Sequence, residues 1–499
     1  MRQRMQAFFT GIERRLIKAR LASADPAALI RKGQKWLLPA FRRAARSSPA
    51  YRTLLAEAGV NPAEIRTVED FVSRCPVLDK ANTFRRFPLA ELICEDIRPQ
   101  ALASILTSSG HGGNGFAFGL STWEQQSGAA RLIDIGLDMA FDVGNRRTLL
   151  INCLPMGVTF PSNLVCVANV SVREDMACAI VDKAGPLFEQ IVLCGDPLFL
   201  KKLCDYSQDI GLDWKRFRVH VILGEETFPE TFRDYLAGVL GIDPDDPESG
   251  LIGSSMGVGE LGLNLFNETR ETVALRRACC RDPGLSRKLT GVDRAVSPAP
   301  TFMVFNPLRT FVEVVKPDAH GIGELVVTVM DGQAPIPLMR YATGDRMQFI
   351  DRAVVESTGL ALPPFPIVAL HGRDKDRLPE GGHVDLFKEA LYRDPAIARS
   401  LTGAHFLQRV EEGWVWKVQQ NAFGEASPSE TSDRLSACLP TTLAEKMRLR
   451  IEVAGRDAKD FSNSLDYERK FLYLRDPARG VDFFYNQKTA LCEKEKNTQ

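Results

Sequence analysis

A Ser/Gly-rich segment at residues 107–119, TSSGHGGNGFAFG, has the residue types that bind phosphate groups. Its glycines follow a G-x-G-x-x-G spacing, which in a strand–loop–helix unit holds the pyrophosphate of a dinucleotide. Backbone N–H groups and serine hydroxyls in such a loop can also form a concave anion site without a helix. A plain glycine turn gives the same pattern when the loop is considered alone. The neighbouring elements must therefore decide between these interpretations.

The residues after the loop exclude a dinucleotide site. Gly115 is followed by FAFGLST, an alternating stretch that predicts a strand, whereas a dinucleotide fingerprint requires a helix there. The helix is predicted to begin later, at a capping-box pattern formed by Ser121 and Glu124, and Asp134 falls inside it. We therefore predict a strand–loop–strand hairpin, whose loop either forms an anion site or is a plain glycine turn. The residues that would form a phosphate site in this loop are Ser108, Ser109, Gly110, His111 and Gly113.

The overall composition is typical of a globular protein of more than one domain. The chain has 499 residues, of which 44% are hydrophobic and 25% are charged. Its formal net charge is zero, so the overall charge does not indicate binding to nucleic acid. The eleven cysteines lack C-x-x-C spacing and predict reduced thiols in a cytoplasmic protein without a cysteine metal site. No apolar run is long enough to span a bilayer.

The first fifty residues are strongly basic, with twelve Lys and Arg against Glu13 and Asp25. Apolar residues recur among them at helical spacing. These residues are Met5, Phe8, Phe9, Ile12, Leu16 and Ile17. Such a helix either makes weak contact with an anionic membrane surface or packs on the body of the protein with a solvated basic face.

The pattern of apolar runs predicts an α/β protein. Residues 1–75 indicate helices, with breaks at Ser48-Pro49 and Asn61-Pro62. From about residue 100 onward, strand-like runs alternate with helical stretches, and several runs end in glycine or polar residues that could form a site. The predicted strands are ASILTSS, RTLLINCLP, QIVLCGDP, VHVILGEE, GLIGSSMG, GELVVTV and RMQFID. Residues 421–435 are polar and predict a loop.

Further motifs follow the glycine loop in a fixed order. They are LGEETFPETFRDYL (223–236), GSSMGVGELG (253–262), GIGELVVTV (321–329), PIPLMRYATGD (335–345), LHGRDKDRL (370–378) and NSLDYERKFLYLRD (463–476). Together with the stretch from SSPAYRTLL to VLDKANTF, this series resembles the phenylacetate–CoA ligase-like branch of the adenylate-forming (acyl-CoA synthetase) superfamily. The resemblance covers residues 38–475, and TSSGHGGNG stands in the place of that family's SSGTTGKP phosphate loop.

The resemblance implies a fold and a domain arrangement. We expect a large N-terminal domain of mixed and parallel sheets layered with helices, followed by a small α+β C-terminal domain. The expected parts are an N-terminal helical region of the large domain (1–75), an adenylate-forming core (76–371), a hinge (372–376) and a small mobile domain (377–499). Similar proteins are often homodimers, and the sequence does not fix the oligomeric state.

The resemblance also implies a reaction. The carboxylate of an acid attacks the α-phosphate of ATP, pyrophosphate leaves, and the acyl group of the adenylate passes to CoA. Attack by one anion on another needs neutralisation by Mg²⁺, lysine and backbone donors. The resemblance implies that Glu260 binds Mg²⁺ and takes part in catalysis, and that Asp345 accepts hydrogen bonds from the ribose hydroxyls. Lys470 would neutralise the charge of the acyl phosphate. The residues implied to contact the nucleotide are Glu226, Tyr341 and Arg373.

The acid itself is less well defined by the sequence. Phe160, Phe228, Met256 and Gly257 are expected to line its pocket, which favours an aromatic or medium-length apolar acid. Several positions depart from the family pattern, and they are Gly112, Asn114, Glu225, Met256 and Gly259. The alternatives to a CoA ligase are transfer of the acyl group to an amine or a carrier protein, and an inactive homologue that binds nucleotide or a partner protein.

Overall fold

A computed structural model of the chain describes most of its residues. The described residues are 2–107, 116–155, 157–294, 297–422, 424, 426–462 and 467–477, with side chains described from residue 11 onward except at 462. No helix within these ranges is long and apolar enough to cross a membrane.

Three sheets contain the strands. The first is a hairpin of β1 (Leu102–Thr107) and β2 (Phe118–Thr122). The large sheet contains β3 (Thr148–Asn152), β4 (Cys166–Asn169), β5 (Gln190–Gly195), β6 (Val219–Leu223), β7 (Ile252–Val258), β8 (Gly262–Asn267), β9 (Thr301–Phe305), β10 (Thr310–Val315), β11 (Gly323–Val329), β12 (Tyr341–Phe349) and β13 (Ile367–Arg373). The third contains β14 (Leu401–Val410), β15 (Gly413–Gln420), β16 (Leu449–Ala454) and β17 (Leu474–Arg475).

The pairing of strands in the large sheet changes from parallel to antiparallel at β7. Its order is β10-β11-β12-β13-β9-β8-β7-β6-β5-β3-β4, parallel from β4 to β7 and antiparallel from β7 to β10. The buried parallel strands are nearly continuous apolar runs, as strands covered on both faces must be. The predicted α/β class with mixed and parallel sheets is therefore confirmed.

Helices surround these sheets. The N-terminal ones are α1 (Arg2–Ala22), α2 (Pro26–Ser47), α3 (Pro49–Glu57), α4 (Val68–Arg74), α5 (Leu89–Leu92) and α6 (Trp123–Phe141). Those of the large sheet are α7 (Glu174–Ala184), α8 (Pro197–Asp209), α9 (Glu230–Leu240), α10 (Arg270–Arg281), α11 (Pro283–Thr290) and α12 (Arg352–Glu356). The C-terminal ones are α13 (Asp385–Arg393), α14 (Pro395–Ser400), α15 (Pro428–Ala437), α16 (Thr441–Met447) and α17 (Lys459–Ser462).

The predicted break at Ser48-Pro49 is a helix boundary with a clear physical cause. The Ser48 side chain accepts a hydrogen bond from the Tyr51 backbone N–H, and Pro49 occupies the first position of α3, where no N–H is needed. Asn61 caps the next short turn before Pro62 in the same way. The two predicted breaks are thus observed as helix starts.

The four-stranded sheet packs closely on the large sheet's helices. Phe232 of α9 lies 4.7 Å, centroid to centroid, from Tyr392 of α13, and both belong to one buried apolar cluster. Phe199 of α8 lies 5.9 Å from Tyr467 in the C-terminal tail segment. The C-terminal region therefore packs over that edge of the large sheet at which the polar motifs end.

Two local predictions were wrong. The capping box of α6 lies one residue later than expected, because Thr122 accepts from the Gln125 N–H and Gln125 accepts from the Thr122 N–H. The Ser121 hydroxyl instead contacts Ser104 Oγ across the hairpin at 2.6 Å. The loop predicted for 421–435 gives way to α15, whose start is capped by the Ser427 side chain.

Helix α1 combines features of both interpretations of the basic N-terminus. It packs on α6 through its basic side, since Arg14 Nε lies 3.1 Å from Asp138 Oδ2 and Lys18 Nζ lies 3.0 Å from Asp142 Oδ1. Ile12 is 41% exposed, and Leu16 is 55% exposed. The expected packing on the body is therefore confirmed; these contacts with α6 are ionic, and Ile12 and Leu16 face outward.

Candidate active site

Asp345 and Arg373 face each other across neighbouring strands at the edge of a large cleft. They are directly paired in the antiparallel register of β12 and β13. Arg373 Nε donates to Asp345 Oδ1 at 2.9 Å, and this carboxylate raises the pKa of the guanidinium. The other oxygen, Asp345 Oδ2, is buried and has no hydrogen-bond partner among the described residues. An unpaired buried carboxylate oxygen costs about 1–3 kcal/mol, so this site is ready to accept hydrogen bonds from a ligand.

Glu260 lies in the short turn between β7 and β8 and is held from two sides. The Tyr341 hydroxyl donates to Glu260 Oε1 at 2.7 Å, and Lys80 Nζ lies 3.5 Å from the same oxygen. Burial and the neighbouring carboxylate raise the pKa of Tyr341 well above its usual value, so the hydroxyl remains a donor. Tyr341 is 1% exposed, which places it beneath the cleft as a support for Glu260.

The turn that contains Glu260 packs directly against the glycine-loop hairpin. A Cβ atom added at Gly119 of β2 would lie 2.1 Å from the carbonyl oxygen of Gly259, so only glycine allows this approach. The hairpin is strand–loop–strand, as predicted. The loop residues themselves, Ser108, Ser109, Gly110, His111 and Gly113, lie outside the described part of the chain. Strand β2, which follows the loop, lies directly beside the Glu260 turn.

A metal ion at this position would depend on a single carboxylate from the described residues. Within the described ranges, no group of three or more His, Cys, Asp or Glu side chains is arranged to hold a metal ion. Mg²⁺ usually binds through one or two carboxylates, several waters and the substrate's phosphates. The isolated Glu260 carboxylate fits that mode of binding and does not fit an all-protein metal site.

Lys470 reaches the same cleft from the C-terminal region. Its Nζ donates to the Glu225 backbone carbonyl at 2.8 Å and lies 3.2 Å from Glu225 Oε2. Glu225 has φ +67°, a left-handed conformation that favours glycine. The sequence departs from the family's glycine at this position, and the structure gives the Glu225 side chain a partner in Lys470.

Glu226 connects the large-sheet region to helix α13. Its Oε2 lies 3.5 Å from Lys388 Nζ, which also lies 3.4 Å from Asp385 Oδ1. Thr227 donates to Asp385 Oδ2 at 2.9 Å. Glu226 borders the cleft, and its described partners are this inter-region lysine and the side chain of Tyr473.

The residues expected to bind the acid lie around one part of the cleft. Met256 and Gly257 are on the cleft side of β7, and Phe160 packs at the edge of the apolar cluster beneath α6. Phe228 is 3% exposed and stacks with the guanidinium of Arg233, whose Cζ lies 4.9 Å from the ring centroid. Phe228 is therefore mostly part of the floor, whereas the other three border the open space.

All of these groups meet in a cleft of about 3480 Å³ between the large sheet and the C-terminal region. It is bordered by Lys80, Glu226, Met256, Glu260, Asp345, Arg373 and Lys470. The structure thus brings together the predicted residues it describes, although they lie up to 310 positions apart in the numbering, as Phe160 and Lys470 do. Sequence reasoning missed Lys80 and Lys388, because neither lies in a spacing pattern that points to its partner.

Comparison with known proteins identifies the class of fold. No protein-family model and no curated protein sequence matches the chain. It is similar to the crystal structure of 2-hydroxyisobutyryl-CoA ligase in the postadenylation state with R3-HIB-AMP, at 13% identity and a TM-score of 0.63. That likeness covers 95% of this chain and 94% of the other. The fold of this chain is that of the adenylate-forming ligases.

Two other states of the same ligase are less similar to this chain. The open conformation with 2-HIB-AMP and CoA gives a TM-score of 0.52 at 14% identity, over 90% of this chain and 91% of the other. The thioesterification state, in complex with 2-HIB-AMP and CoA, gives a TM-score of 0.50 at 15% identity, over 93% of this chain and 92% of the other.

Proposed function

We propose that this protein is an ATP-dependent carboxylate–CoA ligase of the phenylacetate–CoA ligase-like branch, which forms an acyl adenylate and passes the acyl group to CoA. The main support is the unpaired Asp345 Oδ2, buried at the cleft that also contains Glu260 and Lys470. This acceptor suits the two hydroxyls of a ribose, and the cations nearby suit phosphate. The motif series from residue 38 to residue 475 supports the same activity.

The side chains have distinct roles in the proposed reaction. An oxygen of the acid attacks the α-phosphorus of ATP, and the bond to the pyrophosphate oxygen breaks. Asp345 and Arg373 hold the ribose, while Lys470 places a positive charge beside the reacting groups. Glu260 would hold Mg²⁺, which when bound neutralises phosphate charge, and Tyr341 keeps the Glu260 carboxylate in place. The second step moves the acyl group from AMP to the CoA sulfur, and AMP leaves.

We propose a hinge at residues 372–376 between the core (76–371, after helices 1–75) and the small domain (377–499). Residue Arg373 ends β13, and the charged residues after it form a short turn that borders the cleft. Rotation there would withdraw Lys470 after adenylation, because Lys470 belongs to the C-terminal region. The contacts of Lys388 with Glu226 and Asp385 would stabilise the adenylation arrangement.

Contact with an anionic membrane is a second candidate, supported by the outer face of α2. Trp36 is 59% exposed and is flanked by the exposed cations Lys32, Lys35, Arg42 and Arg46. Basic residues around an exposed tryptophan suit the interface of an anionic bilayer. Sedimentation with phosphatidylserine vesicles tests this contact, and the double variant Lys32→Glu/Lys35→Glu should abolish it. Equal sedimentation of wild type with neutral vesicles would contradict it.

The proposed ligase activity is tested by carboxylate-dependent ATP–pyrophosphate exchange across aryl and fatty acids, followed by thioester formation with CoA. We expect Lys470→Ala to reduce exchange about 100-fold and to spare thioester formation from a supplied acyl adenylate. Lys446→Ala, an exposed lysine of the same region outside the cleft, is the matched control. Exchange without thioester formation would favour an amine or carrier protein as the acceptor. ATP binding without exchange for any acid would favour an inactive homologue.

A further inference from the structure

The tail segment, residues 467–475, is joined to the C-terminal region through its second half. Strand β17 pairs in parallel with β14, and the Leu407 N–H donates to the Tyr473 carbonyl at 2.8 Å. The ring of Phe471 stacks with that of Phe461 in α17, with centroids 6.4 Å apart. The second half of the segment therefore belongs to the C-terminal region by its backbone pairing.

The first half of the tail segment contacts a core helix instead. The ring of Tyr467 lies edge-on to Phe199 of α8, with centroids 5.9 Å apart and an angle of 77° between the ring planes. Lys202 Nζ, three residues further along α8, lies 4.6 Å from the centre of the Tyr467 ring. Edge-to-face aromatic pairs and a cation over a ring are both attractive arrangements. Two side chains of α8 thus hold the Tyr467 ring.

Two further contacts join the tail segment to loops of the core. Ser171 Oγ, in the loop after β4, donates to Glu468 Oε1 at 3.0 Å. Lys470 Nζ donates to the carbonyl of Glu225, in the loop after β6, at 2.8 Å. The Ser171 contact is exposed to solvent, whereas Tyr467 packs against two buried apolar clusters. The Tyr467 ring is therefore the main apolar anchor of this part of the chain.

The backbone of Tyr467 shows that its position is constrained. Its φ is +53°, in the left-handed region that a bulky residue rarely adopts. Such a conformation costs free energy and persists where the surrounding contacts outweigh that cost. The contacts of the Tyr467 ring with α8 act in this sense. Three residues later, Lys470 borders the cleft.

We propose that Tyr467 is a positioning residue for Lys470. Its ring, docked on α8, holds the tail segment against the core, so that the Lys470 ammonium lies beside the cleft. This inference rests on the proposed ligase function, in which Lys470 acts during adenylation. Without the ring, the segment would remain attached to the C-terminal region through β17, but its first half would lose its apolar anchor on the core. A displacement of about 1 Å at a reacting group can cost about 100-fold in rate, so adenylation should become slower.

The test removes the ring and compares the two half-reactions. Tyr467→Ala deletes the ring, whereas Tyr467→Phe keeps it, since the contacts with α8 are made by the ring. Tyr206→Ala is the matched control, because Tyr206 is a half-buried tyrosine of α8 that does not border the cleft. The measurements are kcat and KM for ATP in pyrophosphate exchange, and thioester formation from a supplied acyl adenylate.

A second measurement does not depend on activity. Lys470 Nζ lies 3.2 Å from Glu225 Oε2, so a carbodiimide should join the two side chains through an amide bond and take up the water that is lost. Mass spectrometry of the digested protein measures the yield of this cross-link. We expect the yield to fall at least fivefold in Tyr467→Ala and to stay within twofold of wild type in Tyr467→Phe and Tyr206→Ala.

We expect Tyr467→Ala to lower kcat of exchange about tenfold, to leave KM for ATP within twofold and to spare thioester formation. Tyr467→Phe and Tyr206→Ala should match wild type. In a Lys470→Ala background, the added change Tyr467→Ala should have no further effect, because the ring acts through the lysine. An equal tenfold loss in that background would show that Tyr467 only stabilises the fold, and it would overturn the inference.

The outcomes separate a failure of this inference from a failure of the ligase function. Exchange by wild type with an unchanged kcat in Tyr467→Ala would overturn the positioning role and leave the ligase function standing. Absence of exchange by wild type with every acid would contradict the ligase function. In that case, a cross-link lost only in Tyr467→Ala would still support the placement of Lys470 by Tyr467, and an equal yield in all variants would overturn it.

Discussion

Arg373 Nε lies 2.9 Å from Asp345 Oδ1, and this one contact fixes the carboxylate while leaving its second oxygen buried and unpaired. The two residues are cross-strand partners on β12 and β13, so their relative position is set by backbone pairing. The arginine orients the carboxylate, and the second oxygen is available to a ligand. Such an arrangement binds hydroxyl groups without first breaking a protein hydrogen bond.

Asp345→Asn should weaken ATP binding about 10- to 150-fold. The variant loses a charged acceptor, and a hydrogen bond to a charged group contributes about 1.5–3 kcal/mol. Titration calorimetry with ATP measures the effect. Asp209→Asn is the control, since that side chain is exposed and lies outside the cleft. Equal ATP affinity for Asp345→Asn and wild type would contradict the assignment of Asp345.

Tyr341→Phe should destabilise the protein and raise the Mg²⁺ concentration needed for exchange. The Glu260 carboxylate loses its 2.7 Å donor in a buried site, which lowers the free energy of unfolding by about 1–3 kcal/mol. A carboxylate that is less firmly placed should also bind the metal less well. Urea unfolding and the Mg²⁺ dependence of pyrophosphate exchange measure the two effects.

Tyr235→Phe is the control that separates a loss of stability from a change in Mg²⁺ dependence in that experiment. Tyr235 is also buried, and its hydroxyl lies 3.4 Å from Asp205 Oδ1, away from the cleft. We expect it to lower stability without changing the Mg²⁺ dependence. If Tyr341→Phe behaves in the same way, Tyr341 does not position Glu260.

The fold was largely predictable because local signals and long-range packing agree. The strand runs around Leu150, Leu193 and Val221 are apolar and β-branched, and all become buried parallel strands. The loop predicted for residues 421–435 was wrong from Pro428 onward, because composition suggested solvent exposure, while the Ser427 cap and the buried Leu435 stabilise a helix there. The polar composition of a segment does not show that one side of a helix formed by it is buried.

The site was predictable only where a motif places residues close in sequence. Asp345 and Glu260 lie in recognisable motifs, and both border the cleft. Lys80 lies 180 positions before Glu260 in the numbering, and no sequence spacing connects them. Their contact depends on how the chain folds back on itself.

Glu225→Gly should increase the rate of pyrophosphate exchange about two- to fivefold. The change removes the carboxylate 3.2 Å from Lys470 Nζ and suits the left-handed backbone at φ +67°. A partly exposed ion pair contributes up to about 1 kcal/mol, which limits the gain. Glu225→Gln, which keeps the side-chain size, separates the charge from the backbone effect. A slower rate for both variants would mean that Glu225 helps Lys470 rather than competing for it.

Three buried histidines should make the protein sensitive to mild acid. Burial lowers the pKa of His220, His371 and His405 to about 3 in the folded state, against about 6.5 when unfolded. As pH falls below about 6.5, the unfolded chain binds protons that the folded chain does not, and stability decreases until about pH 3. Each histidine contributes a slope of up to about 1.4 kcal/mol per pH unit.

In the variant His220→Asn, the free energy of unfolding should fall less steeply as the pH falls, by up to about 1.4 kcal/mol per pH unit, the contribution of one histidine. His220 Nδ1 accepts from the Leu251 N–H at 3.0 Å, and the asparagine side-chain oxygen offers an acceptor that does not titrate. The variant should be less stable than wild type at pH 7.5. At pH 5 the two free energies of unfolding should be closer, because only wild type loses stability when the ring at position 220 takes up a proton in the unfolded chain. Urea unfolding at four pH values between 7.5 and 4.5 measures the slopes. His320→Asn, at an exposed position, is the control, and an equal slope for wild type and His220→Asn would show that the buried ring at position 220 does not govern the acid response.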